Sequence, residues 1–277
     1  MSKKPSRRDL LLAGAAAAGA AAVSGSQPAQ ATEAPGAGDD PEGKEGDHQR
    51  RWGMVIDLDR CTACGACTVA CRQENNVPSF GPEPEYQGRQ IEWMTLLWKE
   101  ADQPGGTPTA LPFPCQHCAS APCVKVCPVG ATLKSPEGIT LQIWDRCIGC
   151  RYCMVACPYG RRSFNWEEPV WDGTLTQLLN PDVATRPHGV VEKCTFCHHR
   201  IRQVRMQARL EDREMKDEDL QQLPACAAAC PADAIVFGDL HDPDSLVAQR
   251  ARDPRRFQLL EHLGTDPAVI YLKRDRR

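Results

Sequence analysis

The sequence predicts an α+β chain of two small domains, each built from short β-hairpins and small helices around a pair of cysteine-lined sites, with the first domain discontinuous. Three observations predict it. Sixteen cysteines fall into four groups of four with none left over. Cys147, Cys150, Cys153 and Cys157 (CIGCRYCMVACP) repeat the spacing of Cys61, Cys64, Cys67 and Cys71 (CTACGACTVAC), with matching approaches Ile143-Trp144-Asp145-Arg146 and Ile56-Asp57-Leu58-Asp59-Arg60; this is an internal repeat. Finally, Cys230-Pro231-Ala232-Asp233-Ala234-Ile235-Val236 parallels Cys127-Pro128-Val129-Gly130-Ala131-Thr132-Leu133. A late segment therefore closes the first domain around an inserted second one.

The cysteine spacing names the chemistry. A loop as tight as Cys147 to Cys153 points three sulfurs at one object, whereas tetrahedral zinc takes cysteine pairs from two separate loops and has no use for a third sulfur so close. A cubic iron–sulfur cluster fits. The run C-x2-C-x2-C-x3-C-P resembles that of bacterial ferredoxins, in which the fourth cysteine ligates the neighbouring cluster. The remaining groups are Cys115, Cys118, Cys123 and Cys127 (CQHCASAPCVKVCP), and Cys194 and Cys197 (CTFC) with Cys226 and Cys230 (CAAACP). Sixteen thiolates suit four [4Fe–4S] clusters. A secreted disulfide scaffold is the other home for cysteine at this density, but C-x2-C-x2-C runs suit ligation far better than cross-linking.

Composition agrees. With 277 residues, 6% aromatics, 23 prolines and 21 glycines, much of the chain is expected to be loops wrapped around cofactors. The formal charge of −3 has its basic residues scattered among acids, which does not suggest nucleic-acid binding. No Gly-rich nucleotide fingerprint, nucleophile with a base partner or spare ligand set for a catalytic metal is present.

Taken in order, residues 1–31 read as a twin-arginine export signal: Ser6-Arg7-Arg8-Asp9-Leu10-Leu11, an alanine-rich stretch to Val23 too short to span a bilayer, and a small-residue cleavage site at Ala29-Gln30-Ala31. That route carries folded proteins, as a chain loaded with clusters in the cytoplasm requires. Residues 32–51 read as a disordered linker. The first domain takes residues 52–100 and 190–240, with strands at Met54 to Leu58 and Glu92 to Lys99. Asp102 to Pro114 reads as a linker. The helix reaching Cys71 lacks the usual following proline and is expected to run on. The inserted domain takes residues 111–166, with a hairpin of Ala131 to Lys134 and Ile139 to Trp144 about the turn Ser135-Pro136-Glu137-Gly138. Ala234 to Phe237 is expected to pair with Met54 to Leu58. Residues 167–189 form an insert, and His198 to Met215 an exposed amphipathic helix. Residues 241–277 form a C-terminal tail with short helices at Asp244 to Arg250 and Arg256 to Leu263. Its apolar end, Val269 to Leu272, is expected to dock on a partner in preference to its own fold.

The crossed-ligation pattern implies four sets. Cys61, Cys64 and Cys67 take Cys230; Cys115, Cys118 and Cys123 take Cys157; Cys147, Cys150 and Cys153 take Cys127; and Cys194, Cys197 and Cys226 take Cys71. Arg60, Arg146, Lys125, Arg151, Arg161 and Lys193 are candidates for tuning potentials, each against the plainer reading of a solvated basic residue. His117, His198 and His199 sit beside cysteines, where packing is favoured over a proton-coupling role.

Four cysteine groups in this order resemble the four-cluster electron-transfer subunits of the dimethyl sulfoxide reductase family, including those of tetrathionate and polysulfide reductases. The tract Leu179-Asn180-Pro181-Asp182 through Gly189-Val190-Val191-Glu192-Lys193-Cys194 is also similar to iron–sulfur subunits of alternative complex III. The resemblance implies a chain with no substrate site of its own. It passes single electrons between a molybdopterin catalytic subunit and a quinone-linked membrane subunit or cytochrome, in the periplasm, with membrane contact only through a partner. The alternatives are a freely diffusing polyferredoxin, against which the inserts and tail argue, and a structural zinc protein.

Overall fold

The computed structural model describes residues 50–78, 87–100, 108–169, 171 and 173–275, all within one compact unit, residues 48–277. The expected export signal and nearly all of the expected linker lie outside the described residues. In chain order the elements are β1 (Trp52–Asp57), α1 (Ala66–Glu74), β2 (Thr95–Lys99), β3 (Thr109–Phe113), α2 (Pro122–Lys125), β4 (Thr132–Lys134), β5 (Thr140–Gln142), α3 (Tyr152–Val155) and β6 (Ser163–Phe164). There follow β7 (Val191–Glu192), α4 (His198–Leu210), α5 (Ala225–Ala228), β8 (Ile235–Asp239), α6 (Leu246–Ala251), β9 (Arg256–Phe257) and β10 (Val269–Leu272).

A four-stranded sheet in the order β8-β1-β10-β9 organises the fold. β1 is buried along its whole length, with Trp52, Met54, Val55 and Ile56 supplying the apolar surface that a strand covered on both faces requires. Side chains alternate with the pleat. Trp52, Met54, Ile56, Ile235, Phe237, Val269 and Tyr271 enter the main core with cysteines 67, 71, 194 and 226. Val55, Val236, Ile270 and Leu272 pack on Val247 of α6. β8 runs antiparallel to β1, with Met54 opposite Phe237 and Ile56 opposite Ile235, the pairing expected from the parallel between the two Cys-Pro segments. β4 and β5 form the expected hairpin, from Thr132 opposite Gln142 to Lys134 opposite Thr140.

Three expectations are corrected. Val269–Leu272 docks on its own fold: β10 lies parallel to β1, Met54 opposite Val269 and Asp57 opposite Leu272, and all four of its residues are buried. Part of the expected linker is a strand, β3, paired with β2 from Thr95 opposite Phe113 to Lys99 opposite Thr109. Pro112 is tolerated there because a two-stranded ribbon leaves one side of each strand unpaired. Arg256 to Leu263 is not one helix; it is β9, a left-handed Leu260 and a single 3₁₀ turn at Glu261–Leu263.

The short helices end where proline says they must. α2, α3 and α5 span four residues each, and each is soon followed by a Cys-Pro pair, which pushes the preceding residue out of helical space. α1 has Arg72 after Cys71 and continues to Glu74, nine residues in all. α4 stops at Leu210, short of the expected Met215, ahead of the left-handed Asp212. Links cross between the two cysteine-bearing halves: β6 pairs with β7, and the Trp52 indole donates to Glu137 at 2.9 Å.

Candidate metal centres

The first C-x2-C loop of each group carries a left-handed residue immediately before its second cysteine: Ala63, His117, Gly149 and Phe196. Three of the four are not glycine, so the loops hold backbone that L residues adopt reluctantly. A left-handed turn aims successive backbone N–H groups into one concavity, a nest for anions. The amides are placed accordingly. Phe196 N donates to Cys194 Sγ at 3.4 Å and Ala234 N to Cys230 Sγ at 3.3 Å. The amide of Ala66 holds the exposed Cys64 thiol below its ordinary range, helped by the Thr62 side chain.

The sixteen cysteines are free thiols, and they gather in four places. Burial and then the thiols of Cys61, Cys230 and Cys64 push Cys67 up to about 11. Burial, followed by Cys194, Cys197 and Cys226, drives Cys71 well above its ordinary range. Cys118 is pushed up to about 12 by burial and by Cys115, with Cys123 and Cys157 also beside it. Cys127, Cys147, Cys150 and Cys153 line a single hollow with Val129, Thr132, Ile148 and Arg151.

Electrostatic influence between neighbouring gatherings gives their order. Cys67 acts on both Cys71 and Cys226, Cys115 on Cys194, and Cys123 on Cys153. The order is therefore the Cys61 set, the Cys194 set, the Cys115 set and the Cys147 set. Cys64 and Cys150, in the two terminal sets, are exposed, whereas Cys194, Cys197, Cys226, Cys115, Cys118 and Cys123 in the middle are buried.

Of the basic candidates, Arg60, Lys125, Arg146 and Arg151 are exposed, and Arg161 donates to the Glu92 carbonyl at 3.0 Å. Lys193 is buried, 2% exposed. Sequence reasoning missed Arg162, whose Nη2 lies 3.1 Å from Cys123 Sγ, and Lys134, whose ammonium donates to the Cys118 carbonyl at 2.9 Å. The signal for Arg162 was its place just past Cys157-Pro158, beside Arg161. Thr265 also escaped notice: its side chain lies beside Cys118, whose pKa it lowers, and 2.6 Å from Tyr159 Oη. His117 accepts from Thr140 N at 3.2 Å and stacks on Phe196 at 3.7 Å between ring centroids. Burial and the surrounding Lys193, Lys134 and Arg162 hold it well below the ordinary imidazole range, so it is a neutral packing group. His199 pairs with Glu74 at 2.6 Å. His198 is shifted down by burial and by Arg202 and Arg205.

The donor set fits iron–sulfur chemistry. Soft cysteine sulfurs gather in four places with N–H donors aimed at sulfur, and among the described residues no three His, Cys, Asp or Glu side chains converge on a position for a single ion. Family models described as "4Fe-4S dicluster domain" match residues 108–173 and 146–234, and one described as "4Fe-4S binding domain" matches residues 52–73. The chain is 47% identical to the menaquinone reductase iron–sulfur cluster-binding subunit of Nitratidesulfovibrio vulgaris, over 81% of this chain and 89% of that one. It is 40% identical to an iron–sulfur subunit of the Hdr-like menaquinol oxidoreductase of Archaeoglobus fulgidus (96% and 97%) and 39% identical to the arsenate respiratory reductase iron–sulfur subunit of Shewanella sp. (80% and 96%). The chain belongs to the family of iron–sulfur electron-transfer subunits of respiratory reductases. Membership makes it an electron carrier with [4Fe–4S] clusters rather than an enzyme in its own right, and sixteen cysteines are the complement for four. The fold is that of ferredoxin-like dicluster modules built from small helices and short strand pairs.

Proposed function

We propose that this family member works in its reductase complex as a relay of four stations in order. Cys61, Cys64, Cys67 and Cys230 hold one cluster; Cys194, Cys197, Cys226 and Cys71 the next; Cys115, Cys118, Cys123 and Cys157 the third; and Cys147, Cys150, Cys153 and Cys127 the last. The observation that carries the proposal is the row of thiol gatherings with exposed cysteines only in the terminal sets. When bound, the clusters supply carriers that gain and lose one electron at a time. The chain's own work is to space them, to bury the middle two away from water and to leave each end open to a partner. Those partners are a molybdopterin catalytic subunit at one end and a quinone-linked membrane subunit or cytochrome at the other. Among the described residues no helix is long and apolar enough to cross a membrane; contact with the bilayer is assigned to the partner as part of this proposal. Export by the twin-arginine route to the periplasm completes the reading, with residues 52–100 plus 190–240 and residues 111–166 as the two double-cluster domains.

Anaerobically isolated protein is expected to contain about sixteen iron and about sixteen acid-labile sulfide per chain and to co-purify with larger subunits. Colourless, iron-free protein or protein with zinc in its place would overturn the proposal. Replacing Arg7 and Arg8 with lysine is expected to leave the protein in the cytoplasm; unaltered export would remove the periplasmic part.

A further inference from the structure

The Cys115 set differs from the other three in the charge gathered around it. Lys134, Arg162 and Lys193 converge there, and each ends on neutral or sulfur acceptors. The Lys193 ammonium donates to the carbonyls of Thr140 and Cys194. That of Lys134 donates to the carbonyls of His117, Cys118 and Gly138. Arg162 donates to Thr132 Oγ1 at 3.2 Å, Gln142 Oε1 at 3.0 Å and Cys123 Sγ at 3.1 Å. By contrast, the buried Arg186 pairs with Glu192 at 2.7 Å, and the partly exposed Arg200, beside Cys197, pairs with Glu74 at 2.6 Å.

Burying one cation without a counter-charge is unfavourable, and these three also repel one another. The counter-charge at hand is sulfur. Lys134 faces Cys115 and Cys118; Arg162 faces Cys123, Cys153 and Cys115; Lys193 faces Cys115, Cys194 and Cys123. The Cys194 and Cys147 sets each share one of these cations, and the Cys115 set faces all three. In a site shielded from water, fixed positive charge stabilises an added electron far more than it does at a surface, and nearby charge is among the determinants of a cluster's potential.

Building on the cluster assignment above, we propose that Lys134, Arg162 and Lys193 make the Cys115 set the highest-potential station of the relay, where an electron rests between the two ends. The transfer takes one electron from a neighbouring cluster, which is oxidised as this one is reduced.

The test is a redox titration of the full-length, cluster-loaded protein followed by electron paramagnetic resonance, with iron counted first. Cys157→Ser is expected to remove or alter the signal that reduces first and so assign it. Lys134→Met and Lys193→Met are each expected to shift the reduction equilibrium of that same signal about tenfold toward the oxidised form, about 59 mV for one electron, while the Cys61 set keeps its midpoint. Should Lys193→Met lose iron, Lys134→Met, which gives up only carbonyl contacts, decides alone. Unmoved midpoints in a fully loaded variant, an equal fall at all four clusters, or a first-reducing signal indifferent to Cys157 would overturn this proposal and leave the relay intact. A parent protein without iron would overturn the cluster assignment itself.

Discussion

Glycine and side-chain-bearing residues trade places between the repeated loops. Ala63 and Gly65 in the first correspond to Gly149 and Arg151 in the second, and all four are left-handed. At Gly149 a Cβ would lie 2.5 Å from the Gly189 carbonyl oxygen, while at Gly65 the nearest atom is Thr68 Oγ1 at 3.9 Å. Gly65→Ala is therefore expected to cost only the left-handed penalty, about 1–2 kcal/mol. Gly149→Ala must also push the backbone at Gly189 aside, and is expected to lower iron content by loosening the Cys147 loop. Iron analysis alongside thermal unfolding separates the two. Glu192, fully buried, accepts from Arg186, from Trp93 Nε1 at 2.9 Å and from Asn165 Nδ2 at 2.6 Å. Glu192→Ala leaves Arg186 buried and unpaired and is expected to cost about 3–5 kcal/mol, read by denaturant unfolding of the loaded protein. Little of this was legible in the sequence, because Gly189 meets Gly149, and Trp93 meets Glu192, only after the chain has folded.

β10 shows how an element can be recognised and still be misplaced. Its four residues read as an apolar strand in sequence, but nothing local says which edge it completes. The structure seats it between β1 and β9, with Tyr271 Oη donating to the Pro112 carbonyl at 3.1 Å. The segment before it reaches back to the Cys118 loop, where Ala119 N donates to Asp266 O at 2.8 Å and Ser120 N to Thr265 O at 3.1 Å. Truncation before Ala268 is thus expected to strip β1 of a neighbour and to prevent recovery of soluble, iron-loaded protein, whereas a dispensable tail would leave iron content unchanged. Thr265→Val keeps the shape and removes the hydroxyl from Cys118; it is expected to lower the midpoint of one cluster with all four retained, checked by the same redox titration. The α1 helix, by contrast, was legible: without a proline after Cys71, nothing stopped it.

At the scale of the molecule, the row of sets predicts unequal roles for chemically identical cysteines. Cys150→Ala is expected to cost one cluster, taking iron from about sixteen to about twelve, and to block transfer at that end while small reductants still fill the remainder through the Cys64 end. Cys194→Ala is expected to interrupt the relay between the ends, so that the two ends titrate separately. Spacing alone made the sixteen thiols, their four groups in the chain and the family legible, since tight C-x2-C-x2-C loops are local and their geometry is set within a few residues. The pairing of β1 with β8 was legible too, because the repeat supplied an internal template. Tertiary structure alone decided the order of the sets, the home of β10 and the convergence of Lys134, Arg162 and Lys193 on one of them. Charge and burial are properties of space: residues far apart in the chain share a dielectric environment only after the backbone has folded, and no spacing rule encodes that meeting.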